Sequence, residues 1–89
     1  MKLVVTIVGK DQVGIIAMVS TILAENNVNI LSINQNIMDG FFNMVMIAEM
    51  GEGKIKLQEL QRILAQKGKE INLEIKAQHQ EIFNVMHKI

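Results

Sequence analysis

Asp39-Gly40 lies between two runs of strand-forming residues, 28–38 and 41–50, and this constrains the fold more than any other feature of the chain. An Asp-Gly pair suits a two-residue type I′ turn, in which both central residues take positive φ. The flanking runs therefore predict a long antiparallel hairpin in the middle of the chain. In the first, Leu31, Ile33 and Ile37 share one face, and Asn29, Ser32, Asn34 and Asn36 interleave with them. That strand reads as half exposed. The return run, Phe41 to Met50, is apolar on most of both faces.

Helical patterns stand on either side of the hairpin. Ile15, Val19, Ile22 and Leu23 recur at helical spacing, with Asp11 as a possible N-cap and Asn26-Asn27 as the stop. Leu57, Leu60, Ile63 and Leu64 mark a second helix, which is expected to end at Lys67-Gly68. A short run at 3–8, closed by Gly9, reads as a strand buried on both faces. At 71–78, Ile71, Leu73, Ile75 and Ala77 alternate with Asn72, Glu74, Lys76 and Gln78, as in a strand with one solvated face. In the tail, Ile82, Met86 and Ile89 suggest a short amphipathic helix over 79–89.

The order is β-α-β-β-α-β. This is the α+β, ferredoxin-like pattern: a four-stranded antiparallel sheet with two helices on one face, because right-handed crossovers send both helices to the same side. One domain over 1–89 is expected, with a core at about 2–78 and the C-terminal helix after it. A chain of 89 residues buries a modest core, and small domains often add disulfides, metals or partner subunits. With no cysteine, disulfides and thiolate metal sites are excluded, so a second copy is the expected addition.

The formal net charge is zero and there is no Tyr or Trp, which argues against a nucleic-acid partner. No apolar run approaches the roughly 20 residues of a membrane span, and the N-terminal run is too short for a signal peptide. A cytoplasmic, membrane-free location is the expectation. No catalytic constellation is visible, since Ser20 and Ser32 have no nearby His and both His residues lie in the tail. His79 and His87 are spaced too awkwardly to clamp a metal, so no enzyme activity, metal or cofactor is expected.

The chemistry concentrates in the first loop, Gly9-Lys10-Asp11-Gln12-Val13-Gly14-Ile15. It leads from a strand to a helix N-terminus, where free N–H groups and the helix dipole favour an anion such as a carboxylate. Gly14 permits close approach of a ligand, and the Asp11 carboxylate can accept from an ammonium group. Donors for a carboxylate beside an acceptor for an ammonium suit an α-amino acid. The same residues also fit plainer roles: Asp11 as a helix cap, Gly14 as a packing glycine, Asn29 as a turn former.

The stretch Gly9-x-Asp11-x-x-Gly14-Ile15-Ile16, followed by Val19-Ser20, Leu23-Ala24-Glu25, Asn27 and Val28-Asn29-Ile30, resembles the ACT-domain signature. The closest resemblance is to the small stand-alone ACT proteins of the UPF0237 family. The segment is also similar to N-terminal ACT domains of formyltetrahydrofolate deformylases and to glycine-cleavage regulators. The resemblance covers about 80 residues. It implies a regulatory homodimer that binds an amino acid at the subunit interface. One wall would be Asp11, Gln12, Val13, Gly14 and Ile15, and Asn29 and Ile30 of the neighbouring subunit would be the other. Most ACT domains are fused to the protein they regulate, so a lone one would act on a partner in trans. The alternative is a structural dimerisation or protein-interaction subunit that binds no ligand.

Overall fold

The computed structural model describes residues 1–81. Six elements follow in the expected order: β1 (Lys2–Lys10), α1 (Ile15–Glu25), β2 (Val28–Met38), β3 (Phe41–Met50), α2 (Leu57–Glu70) and β4 (Leu73–His79). The strands form one sheet in the order β2-β3-β1-β4, and every neighbouring pair is antiparallel. Both helices supply the same core. Ile15, Val19 and Leu23 of α1 and Leu60 and Leu64 of α2 join Leu3, Val5 and Ile7 of β1 and Met44 and Met46 of β3. Each such side chain, fully buried, contributes about 1.5–3 kcal/mol. The other sheet face has no helix from the described residues against it. The C-terminal helix expected at 79–89 falls almost wholly outside the described residues, and His79 itself ends β4.

The hairpin forms as its sequence requires. Asp39 and Gly40 have φ of 51° and 81°, so both central turn residues are left-handed. Asn27, with φ 61°, provides the expected stop after α1. Phe41 and Phe42 then part to opposite faces: Phe42 enters the core and Phe41 stays exposed.

Four expectations need correction. Gly9 does not close β1; it lies inside the strand, paired with both Phe42 and Leu73, and a Cβ there would meet the Leu73 side chain at 2.5 Å. Nor is β1 buried throughout on both faces. Leu3, Val5 and Ile7 are buried on the helix side, but on the other side only Val4 is, with Thr6 half-buried and Val8 exposed. Gly68 does not stop α2, which runs on to Glu70 with Ile71 as its C-cap, so Ile71 falls outside β4. Gly68 is buried where the helix crosses β4, and a Cβ would sit 2.5 Å from the Leu73 carbonyl oxygen. Asp11 does not cap α1. The N-cap is Gly14, with φ 90°, and no side chain bonds the first turn.

β2 carries a feature that simple alternation conceals. Its register with β3 shifts between Ile30 and Ser32, so Leu31 is an extra residue, a β-bulge. Asn29, Ser32, Asn34 and Asn36 consequently stand opposite Glu49, Ile47, Val45 and Asn43, all on the open face. Ile30, Ile33 and Ile37 stand opposite Ala48, Met46 and Phe42, on the helix face. Yet every residue from Leu31 to Met38 is exposed, because the helices cover only the start of this strand.

Candidate functional site

The loop between β1 and α1 is held at two points. The backbone N–H of Asp11 donates to the Gly40 carbonyl at 2.8 Å, tying the loop to the hairpin turn. The Gln12 amide donates to the Ile71 carbonyl at 3.0 Å, tying it to the turn between α2 and β4. These ties fix the direction in which the chain enters α1. Gly14 then takes φ 90° and ψ 4°, a conformation that L side chains resist, and the helix begins at Ile15.

The first turn of α1 has no capping side chain and no acidic residue. Its backbone N–H groups have no partner earlier in the helix and carry the positive end of the dipole. They face a cleft of about 270 Å³ lined by Asp11, Gln12, Gly14, Ile15, Ile16, Ala17, Gln35 and Phe42. Ile15 and Phe42 are buried and form the floor, and Asp11 and Gln35 supply exposed polar groups at the rim. The arrangement offers backbone donors and one carboxylate around a small apolar floor.

The expected site residues divide into three groups. Asp11, Gln12, Gly14 and Ile15 come together at the cleft. Val13 does not line it; its side chain is fully exposed at the loop tip. Asn29 and Ile30 pair with Glu49 and Ala48, six residues along β3 from Phe42. That is about 20 Å away within one chain. Ile16, Ala17, Gln35 and Phe42 line the cleft and lie outside the expected set. Phe42 is part of the core, and it also forms the cleft floor. Gln35 shares the face of Ile33 and Ile37 by simple alternation, but nothing in the sequence says that this end of β2 lies beside the start of α1.

A larger cleft of about 560 Å³ lies at the opposite end of the sheet, with Met50, Ile55, Leu57, Lys56, Glu52 and His79 among its walls. It also adjoins an uncapped helix start, that of α2. There, however, Glu59 already sits in the first turn beside the positive end of the helix dipole, and Lys56 and Glu52 both line the cleft. The smaller cleft is the better match to an amino-acid head group. Among the described residues, no cluster of three or more His, Asp or Glu side chains could hold a metal ion. No helix among them is long and apolar enough to cross a membrane.

Comparison with known proteins agrees with this fold. The ACT domain family model matches residues 1–78. A UPF0237 protein of Clostridium perfringens is 48% identical over 89 residues, covering 100% of both chains. One from Methanocaldococcus jannaschii is 41% identical, covering 99% of this chain and 98% of its own. Among solved structures, an ACT domain protein from Streptococcus pneumoniae superposes with a TM-score of 0.81 at 35% identity, covering 93% of each chain. A formyltetrahydrofolate deformylase from Pseudomonas putida shares the fold at a TM-score of 0.79 and 11% identity, covering 89% of this chain and 29% of the enzyme. On the matched family model and the full-length identity to its members, the chain belongs to the ACT domain family and, within it, to the UPF0237 proteins.

Proposed function

We propose that this chain is a cytoplasmic amino-acid sensor that works as a homodimer and regulates a partner protein in trans. The observation that carries the reading is the uncapped start of α1, open on a cleft beside the Asp11 carboxylate. A ligand carboxylate accepts from the free N–H groups of the first turn, and its ammonium donates to Asp11. The Gln12 amide, committed to the Ile71 carbonyl, positions the loop and leaves recognition to its neighbours. ACT domains commonly bind amino acids or other small molecules in regulation, which supports the same assignment. Asn29 and Ile30 take part only as residues of the neighbouring subunit, since one chain holds them far from its own loop. Binding across the interface favours the assembled state by mass action.

The test is a thermal-shift screen against the twenty amino acids and a few folates and purines. A ligand at 100 times its dissociation constant adds about 2.7 kcal/mol. For a domain of this size that raises Tm by roughly 10–20 °C. The Asp11→Ala protein should lose most of the shift for an amino-acid ligand. If no compound shifts wild type, the chain is a ligand-free dimerisation or interaction subunit.

A further inference from the structure

We infer that the chain's own C-terminal segment, residues 82–89, covers the part of the open sheet face centred on Val4. Val4 and Val8 are the same residue type on the same strand and the same face, yet Val4 is 2% exposed and Val8 46%. Their neighbours do not account for the difference. Val4 stands between Ile47 and Gln78, and Val8 between Asn43 and Glu74, side chains of comparable reach. The gradient extends across the sheet. Thr6 on β1 and Val45 and Ile47 on β3 are half-buried, whereas Asn43 and Phe41, farther along β3, are exposed. Both helices pack on the other face, against Leu3, Val5 and Ile7. A cover therefore rests on one end of the open face, and none of the described elements supplies it.

That end is where the described chain leaves the sheet. β4 closes at His79, opposite Leu3 and next to the Val4–Gln78 pair. The chain is already helical at Gln80 and Glu81. The Glu81 backbone N–H donates to His79 Nδ1 at 3.2 Å, so the imidazole stands where an N-cap side chain would. In the segment that follows, Ile82, Phe83, Met86 and Ile89 fall on one helical face. A helix from Gln80 to Ile89 would span about 15 Å, and adjacent strands lie about 4.8 Å apart. Starting at the end of β4, it reaches across β1 to β3, the two strands whose open-face residues are shielded. A helix about 10 Å wide laid over Val4 leaves Val8, about 13 Å farther along β1, uncovered. This cover needs neither a ligand nor a second copy.

The experiment is thiol labelling in the full chain, which has no cysteine of its own. Val4→Cys should react with a thiol-specific reagent at least about tenfold more slowly than Val8→Cys, because a covered site is reached only through local opening. The protection should be the same at low and high protein concentration. Adding Phe83→Asp and Met86→Asp to Val4→Cys should remove it while circular dichroism keeps the sheet signal. Protection that survives these tail substitutions, or that grows with protein concentration because a second copy supplies it, overturns the inference, as does equal labelling of the two cysteines. A nitroxide on Lys88→Cys gives a second reading that leaves the apolar positions untouched. It should broaden the amide resonances of Val4 and Ile47 more than those of Val8 and Asn43, and only within the chain that carries it when labelled and unlabelled chains are mixed. If Val4 and Ile47 broaden no more than Val8 and Asn43, the segment lies elsewhere and the inference falls.

Discussion

Replacing Gly68 by alanine should destabilise the protein, although alanine is the better helix former. Gly68 sits in the last third of α2 with its Cα against β4. A Cβ there would lie 2.5 Å from the Leu73 carbonyl oxygen and 3.0 Å from Ile75 Cγ1. The carbonyl belongs to a strand paired with β1, and the Ile75 side chain is buried, so neither can swing aside freely. Overpacking against such neighbours costs about 3 kcal/mol. Removing a mid-helix glycine recovers about 1 kcal/mol. The net loss is therefore about 2 kcal/mol, or on the order of 10 °C in Tm for a domain this small. Urea unfolding followed by circular dichroism, with Gln66→Ala on the exposed side of the same helix as a control, measures it directly. The control should stay within about 0.5 kcal/mol of wild type. A Gly68→Ala protein as stable as wild type, or more so, would refute the reasoning and return Gly68 to the role of a simple helix stop.

Other outcomes follow from the same geometry. Asp11→Ala should change stability by no more than about 0.5 kcal/mol in denaturant titration, because its side chain caps nothing; a true cap would cost about 1 kcal/mol. Gly14→Ala should cost about 1–2 kcal/mol, all of it backbone strain at φ 90°, since the space around it is open. Glu59 should titrate below the usual carboxylate range in NMR, mainly through its hydrogen bonds from Arg62, and Arg62→Gln should bring it back. Because the folded value is the lowered one, the pair's small contribution is present above the unfolded pKa of about 4.3 and is lost as pH falls through the folded one. Its surface exposure keeps that contribution slight.

Much of this molecule is legible in the chain because local and global signals agree. Asp39-Gly40 permits the turn that the flanking strands require, and Ile15, Val19, Ile22 and Leu23, read at helical spacing, are the four residues of α1 that are buried. The misreadings share a cause, in that long-range packing overrode a plausible local rule. Gly68 and Gly9 look like terminators by neighbourhood and are close-approach residues by contact, both against Leu73. Asp11 stands where a cap could be, but its backbone is held by Gly40, three residues short of the helix. The loop half of the candidate site was readable from Gly14 and the helix pattern behind it. Gln35 was not, because nothing in the chain says that this end of β2 lies beside the start of α1.

The Leu31 bulge has a consequence for how this chain tolerates change in length. In an ordinary strand, losing one residue rotates everything beyond it by half a turn and exchanges inside for outside. Here the extra residue already makes that rotation. A chain lacking Leu31 would run from Ile30 straight to Ser32, with Asn34 and Asn36 still outward and Ile33 and Ile37 still on the helix side. Position 31 is thus a place where relatives can differ by one residue within a strand and keep the same two faces.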